Sequence, residues 1–188
     1  RIHGGRIHVS GEALTTLSTY EVFDLQEAIM ERMDDALLPA LTKANRSGDL
    51  HQLLDLLGMS DLIDESGSPD FTPTRILVVG ESTIKEGQLR SIARKHGFDV
   101  GDLEFALGYN ELKHYNFDKL RNTFDYKAVL AGPMPHSTPG KRSASSMIAE
   151  MKNHPESYPP VITLKDSTGL KITRNSFTRA LEELAFMG

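Results

Sequence analysis

The sequence predicts an α/β fold in which a four-stranded parallel sheet lies between two layers of helices and is preceded by an α-helical hairpin. Two observations support this prediction. Residues 76–79 are four consecutive apolar residues ended by Gly80, and so short a β-branched run is typical of a strand buried on both faces. After this strand, strand-like and helix-like segments alternate to residue 186, as they do in parallel sheets covered on both faces.

The composition excludes several classes of protein. The 188 residues include no cysteine, which excludes disulfides, thiol nucleophiles and cysteine metal ligands. No apolar run approaches the ~18 residues of a membrane helix. We therefore expect a cytoplasmic protein with no membrane partner. The chain opens on Arg1 rather than Met, which leaves open whether another segment precedes it.

Charge is distributed unevenly along the chain. Residues 1–73 hold 5 Lys or Arg against 13 Asp or Glu (−8), whereas residues 74–188 hold 16 against 13 (+3). Such a shift favours a boundary between two parts. The segment before residue 75 is rich in Gly, Ser, Pro and acid, as linkers are. We predict an N-terminal segment with a helical hairpin at 1–63, a linker at 64–74 and an α/β domain at 75–188.

The first eleven residues contain Arg-Ile-His twice, on either side of Gly4 and Gly5. Two short extended pieces around such a pair are typical of a two-residue hairpin. A flexible terminus explains the same pattern, so both interpretations stay open. The two histidines lack the further ligands that a metal would need.

A helical period begins at Tyr20. Ser18 with Glu21, and Asp24 with Glu27, both fit a capping box at the helix start. Pro39 is expected to kink or end this helix, with a short second piece up to residue 44. The apolar stripe consists of Leu25, Ile29, Met33 and Leu37, with Val22 and Met30 beside it.

A second helix is predicted at 50–57, begun by Asp49 and ended by Gly58. With the first helix it forms a hairpin, residues 20–57, whose apolar face needs a partner. That partner could be the α/β domain, a second copy of the chain in a homodimer, or another protein. The acidic charge fits either a solvated surface or an arm that docks on a partner or on the basic half.

The rest of the α/β domain follows from short periodic segments. We predict strands at 103–109, 127–131 and 159–164, and a loop at 110–115. Helices are predicted at 85–96, at 117–124, from about 141 to 153, and at 175–186. The fourth strand carries two prolines, which is typical of a sheet edge.

Three of the four strands end in loops that carry serine and threonine. The carboxyl ends of parallel strands meet at one edge of a sheet, where α/β proteins bind ligands. Hydroxyls, backbone N–H groups and helix starts at that edge can hold phosphate or carboxylate, helped by nearby lysines. The predicted ligand-binding residues are Gly80, Ser82, Thr83, Lys85, Gly132, His136, Ser137, Thr138, Lys141, Lys165, Ser167 and Thr168.

Other interpretations of these loops stay open. Serine and threonine are ordinary helix caps. Glu81, His136 and Asp166 could act as acid, base and orienting residue of a hydrolase, with Ser82 or Ser137 as nucleophile. Two carboxylates and a histidine could also hold Mg²⁺ or Mn²⁺, but no spaced ligand motif supports a metal.

Several common motifs are missing. No Gly-Lys-Ser/Thr follows Gly80 at P-loop spacing, and no Gly-x-Gly-x-x-Gly indicates a dinucleotide. The sequence therefore names no cofactor. The basic half is only weakly positive and lacks interleaved aromatic and basic residues, which argues against nucleic acid as a partner.

Residues 75–185 resemble a family of small, functionally uncharacterised bacterial Rossmann-like domains. The family's Gly-Gly after the first strand is Gly80-Glu81 here, and its Ser-His pair is His136-Ser137. The resemblance implies a shared fold and site position. It lies in Val78-Val79-Gly80, Arg94-Lys95-His96-Gly97, the 132–137 loop, Lys141 and the 177–181 segment.

A second resemblance, to BRCT modules, comes from another class. These modules hold phosphopeptides with a Ser or Thr just after the first strand and a Lys at a helix start. Ser82, Thr83 and Lys141 are similar in placement, whereas the tryptophan of that fold is absent. The leading hypothesis is binding of a phosphate-bearing small molecule, a nucleotide or nucleotide-derived signal. A phosphopeptide module and a hydrolase are the alternatives.

Overall fold

The computed structural model describes residues 16–63, 71–135 and 144–187. The chain divides into two compact units, Arg1–Leu38 and Pro39–Gly188. The division falls inside a helix, whereas composition predicted a linker at 64–74, most of which lies outside the described residues. The predicted hairpin or flexible terminus at 1–11 also lies outside them.

Among the described residues, three helices precede the sheet. They are α1 Thr19–Met30, α2 Met33–Ser47 and α3 Leu50–Leu56, followed by a 3-10 turn at Ser60–Leu62. Of the two predicted capping boxes, the first begins α1. The Ser18 hydroxyl accepts from the Glu21 N–H, and the Glu21 carboxylate accepts from the Ser18 N–H at 2.7 Å.

The first predicted helix does not end where it was expected to end. The helix breaks at residues 31 and 32, between α1 and α2, and α2 continues through Pro39. A proline leaves the carbonyl four residues earlier without its bond, and that residue, Asp35, is exposed, so water can replace the donor. Asp49 lies at the N-cap of α3, as predicted, but its carboxylate accepts from the Ser47 hydroxyl at 2.6 Å and makes no hydrogen bond to the N–H groups of α3.

The second unit buries part of α2 and α3. Thr42, Ala44 and Leu54 are buried. The Arg46 guanidinium donates to the carbonyl of Thr123 and lies 4.7 Å above the Phe124 ring. This part of the predicted hairpin therefore packs within the α/β unit.

The sheet confirms the predicted fold class. Its four strands are parallel in the order β2-β1-β3-β4. They are β1 Arg75–Gly80, β2 Leu103–Leu107, β3 Tyr126–Ala131 and β4 Val161–Thr163. Residues 76–79 of β1 are fully buried, because strands lie on both sides of β1 and helices cover both faces.

Helices α4 Glu86–Lys95 and α7 Arg174–Phe186 pack on one face of the sheet. Helix α6 Ala144–Asn153 packs on the other, beside α5 Tyr109–His114. Further 3-10 turns lie at Val100–Asp102 and Phe117–Leu120. The three layers match the predicted architecture. No helix in the described part of the chain is both long and apolar enough to span a membrane.

Three elements in this domain differ from the prediction. The helix predicted at 117–124 is a 3-10 turn at Phe117–Leu120. Residues 110–115 were predicted as a loop, but most of them belong to α5. The segment after β4 is a two-stranded antiparallel hairpin, β5 Lys165–Asp166 and β6 Gly169–Leu170. This hairpin connects β4 to α7, and Ile172, which follows it, lies at the carboxyl edge of the sheet.

Candidate functional site

The loops after β1 and β3 touch at the carboxyl edge of the sheet. The N–H of Glu81 donates to the Pro133 carbonyl at 2.7 Å. Gly80 has φ +131°, and a Cβ there would lie 2.9 Å from the Gly132 carbonyl carbon. The left-handed backbone and the close approach both require glycine at residue 80.

The segment after the hairpin joins the same edge. Ser82 forms a parallel bridge with Ile172, whose carbonyl accepts from Thr83 N at 3.3 Å and from Thr83 Oγ1 at 2.8 Å. The Ile172 side chain is fully buried and fills the space that a Cβ on Gly132 would need. The chain itself therefore occupies the crevice between β1 and β3.

The hydroxyls of Ser82 and Thr83, which were predicted to bind a ligand, form hydrogen bonds within the protein. Ser82 Oγ donates to the Ile84 carbonyl at 2.6 Å and accepts from the Ile84 N–H at 3.2 Å. Thr83 Oγ1 donates to Ile172, as described above. Both hydroxyls therefore stabilise the path of the loop between β1 and α4.

The hairpin contains the other described residues of the predicted site. The Asp166 carboxylate accepts from Thr168 Oγ1 at 2.7 Å and from Thr168 N at 2.8 Å, with Lys171 Nζ 4.0 Å away. The hydrogen bonds from Thr168 are the main cause that lowers the pKa of Asp166. Ser167 lines a shallow groove beside Arg179, which donates to the Lys165 carbonyl at 2.6 Å. Asp166 and Thr168 thus stabilise the hairpin turn.

The start of α4 differs from these loops because it is open. Lys85 is exposed, and its carbonyl accepts from the N–H groups of Gln88 and Leu89. The preceding N–H groups, of Glu86 and Gly87, have no acceptor within the helix. Apart from the adjoining residues and the backbone of α4 itself, no atom of the described residues lies within 4 Å of the place where a Cβ on Gly87 would be. A ligand can therefore approach this backbone closely.

The charges at this helix start are mixed. Lys85 forms no ion pair within the described ranges, whereas the carboxylate of Glu86 is held by Arg90 at 2.7 Å. Glu81 is exposed nearby in sequence. An anion here would be held by backbone N–H groups, the helix dipole and one lysine.

The remaining predicted residues, His136, Ser137, Thr138 and Lys141, lie outside the described residues. The acid, base and orienting residue of the hydrolase hypothesis therefore stay a prediction; of the three, Glu81 is exposed and Asp166 is bonded to Thr168. Among the residues that the structure describes, no three His, Asp or Glu side chains gather as metal ligands would.

A polar cluster that the sequence did not predict lies at the opposite, amino edge of the sheet. The Glu104 carboxylate accepts from the Tyr126 hydroxyl at 2.6 Å and from Arg75 at 3.3 Å, and it is paired with Lys119. The Lys119 ammonium lies 4.6 Å from the centre of the Tyr115 ring. No short motif connects residues that come from β1, β2, β3 and a 3-10 turn.

The pKa values in this cluster are shifted by mutual contact. Burial acts to raise the pKa of Glu104, but the hydrogen bonds from Lys119 and Tyr126 outweigh it and lower that pKa. Burial and the Glu104 charge raise the pKa of both Tyr115 and Tyr126. The lowered pKa keeps Glu104 negatively charged, and the raised pKa values keep Tyr115 and Tyr126 neutral and Lys119 positively charged. This is the pattern of a structural ion-pair network.

No protein-family model, no curated protein and no solved structure matches this chain.

Proposed function

We propose that the α/β unit binds a phosphate-bearing small ligand, a nucleotide or a nucleotide-derived signal, at the carboxyl edge of the sheet. The observation that supports this most is the open start of α4, directly after the point where the loops of β1 and β3 meet. Helix starts of this kind bind phosphate in many α/β proteins.

The structure favours a different ligand position from the one that the Ser and Thr residues indicated. Ile172 fills the crevice between β1 and β3, and the hydroxyls of Ser82 and Thr83 are already bonded. The phosphate would instead contact the N–H groups of Glu86 and Gly87, with Lys85 supplying positive charge. Ser82 and Thr83 act indirectly, by fixing where α4 begins.

Thermal unfolding in the presence of nucleotides tests this proposal. A ligand at 100 times its Kd should add about 2.7 kcal/mol to the free energy of unfolding. The Lys85→Gln variant should weaken this stabilisation, and Gly87→Val should abolish it by covering the helix start. Arg94→Gln, which removes a charge from the other end of α4, is the matched control.

The proposal fails if no phosphate-bearing ligand shifts the unfolding temperature of the unaltered protein. It also fails if Gly87→Val binds as tightly as the unaltered protein. An equal loss in Lys85→Gln and Arg94→Gln would mean that any positive charge suffices, which contradicts a specific site.

A second function is favoured by α1, which has no buried residue. At 100° per residue, its five large apolar side chains fall within an arc of about 160°. They are Val22, Phe23, Leu25, Ile29 and Met30, and Phe23 and Met30 are 59% and 64% exposed. Exposed apolar faces of this kind are typical of interaction sites.

The charge around this apolar face indicates the kind of partner. Residues 16–38 carry six carboxylates and one arginine, a net charge of −5. A shallow groove on α1 is lined by Phe23, Met30 and the carboxylate-bearing Glu27 and Glu31. A second copy would bring the same negative charge to this face. We therefore propose a protein partner whose apolar side chains alternate with lysine or arginine.

A further inference from the structure

A groove lies between α4 and the beginning of α7, within the α/β unit. Its volume is about 320 Å³, and Ile92, which is 7% exposed, is the one apolar residue that lines it. The other lining residues are Gln88, Ser91, Lys95 and His96 on the α4 side, and Arg174 and Thr178 on α7. The groove is therefore lined mainly by side chains that donate hydrogen bonds.

The charge of the groove is unbalanced. Lys95 and Arg174 line it together, and no carboxylate lines it. Neither side chain has an ion-pair partner within the described part of the chain. Arg90, on the same helix as Lys95, is by contrast paired with Glu86 at 2.7 Å. Two positive groups that share a groove without a counter-charge repel each other, and a bound anion would remove that repulsion.

We propose that this groove is a second anion site, separate from the start of α4, and that it binds the phosphate group of a compact small molecule. Lysine and arginine supply charge-assisted hydrogen bonds to phosphate oxygens. The hydroxyls of Ser91 and Thr178 and the amide of Gln88 supply neutral donors. The volume is near the lower limit for small-molecule pockets, which favours a phosphate monoester or diphosphate over a large ligand.

Titration calorimetry with inorganic pyrophosphate at low salt tests this site. Loss of one charge-assisted contact should weaken binding about tenfold, so Lys95→Gln and Arg174→Gln should each do so. The matched control is Arg94→Gln. Arg94 is the neighbour of Lys95 in sequence, but it points about 100° away around the helix and does not line the groove. The affinity of Arg94→Gln for pyrophosphate should differ from that of the unaltered protein by less than about twofold.

A second measurement separates binding from a structural role. Without pyrophosphate, Lys95→Gln should leave the unfolding temperature unchanged or raise it, because it relieves repulsion. With pyrophosphate, the same variant should lose the increase in unfolding temperature that the unaltered protein shows. A purely structural lysine would instead lower the unfolding temperature in both conditions and would overturn the proposal.

The two proposed anion sites can fail separately. Gly87→Val blocks only the start of α4 and should leave pyrophosphate binding in the groove intact. If Gly87→Val abolishes all pyrophosphate binding, the groove is not a site. If Lys95→Gln and Arg174→Gln bind pyrophosphate as tightly as Arg94→Gln does, the groove proposal is likewise overturned, whatever the result at α4.

Discussion

The side chain of Ile172 fills the space beside Gly132 at the carboxyl end of β3, so that no side chain fits at residue 132. Ile172 is fully buried, and its carbonyl accepts from both the backbone and the hydroxyl of Thr83. One residue thus joins the hairpin to the β1 and β3 loops. It also closes the crevice in which ligands of related architectures bind.

The first prediction concerns this contact. Gly132→Ala should lower the free energy of unfolding by about 1–3 kcal/mol, the usual cost of overpacking, because its methyl group overlaps the Ile172 side chain. Chemical denaturation with urea measures the effect. Gly87→Ala is the control and should not destabilise the protein, because among the described residues only the adjoining ones and the backbone of α4 lie near the new methyl group.

A double-mutant cycle shows whether Ile172 is the cause. Ile172→Ala removes the atoms that the new methyl group would meet, so Gly132→Ala should cost clearly less in that background. Equal costs in the two backgrounds would show that the strain at residue 132 arises elsewhere.

The second prediction concerns Thr83, whose hydroxyl donates to Ile172 at 2.8 Å. Thr83→Val keeps the shape and removes this bond, so the free energy of unfolding should fall by about 0.5–1.5 kcal/mol. The affinity for phosphate ligands should not change, since the hydroxyl already has a partner inside the protein. A loss of affinity at unchanged stability would instead identify the hydroxyl as a ligand contact.

The parallel sheet could be predicted because the sequence of β1 alone identifies it as a buried strand. Residues 76–79 are apolar without interruption, and only a strand with neighbours on both sides buries such a run. The other three strands then followed from shorter apolar runs between helical segments. α5 could not be predicted in this way, since its six residues give too few turns for an apolar period to show.

The candidate site was predicted only in its location. Loops that follow parallel strands must meet at one edge, and Glu81 does reach Pro133 there. Which hydroxyls stay open depends on contacts between distant segments. Thr83 bonds to a residue 89 positions away, and no local pattern indicates that Ile172 would lie against Gly132. The sequence indicated at which edge of the sheet the loops after β1 and β3 lie, but not which of their polar groups the fold itself uses.

The third prediction concerns Glu104 and acid. Because its neighbours lower the pKa of Glu104 in the folded protein, its contribution to stability is present above its ordinary pKa of 4.5 and is lost as pH falls through the lower, folded value. Glu104→Gln should therefore cost about 1–3 kcal/mol at pH 7 and reduce the loss of stability on acidification. Urea denaturation at pH 7, 5 and 3 measures both effects.

The same cluster predicts a change at alkaline pH. The pKa values of Tyr115, Tyr126 and Lys119 are all raised in the folded protein. Their contributions are therefore present below their ordinary values of 10.0 to 10.5 and are lost as pH rises through the folded ones. Because the Glu104 charge helps to raise these pKa values, Glu104→Gln should also reduce the loss of stability at alkaline pH. If its stability varies with pH as that of the unaltered protein does, Glu104 is not the centre of the network.

The fourth prediction compares an exposed with a buried apolar residue of the helical segment. Phe23→Ser on α1 should change the free energy of unfolding by no more than about 0.5 kcal/mol, since the side chain is 59% exposed. Leu54→Ala on α3, where Leu54 is 7% exposed, should cost about 2–5 kcal/mol. Thermal unfolding of the two variants gives the comparison.

Light scattering shows whether α1 is covered by a second copy of the chain. We expect a monomer at all concentrations, because residues 16–38 of each copy carry a net charge of −5. A dimer that Phe23→Ser dissociates would contradict the proposed basic partner and would assign the apolar face to self-association.

The measurement that tests the proposed function most directly is a titration of the ¹⁵N-labelled protein with a nucleoside diphosphate, followed by amide chemical shifts. We expect the largest saturable shifts at the amides of Glu86 and Gly87, with smaller ones at Lys85. Shifts confined to other parts of the chain, or none at millimolar ligand, would show that the start of α4 is not a phosphate site.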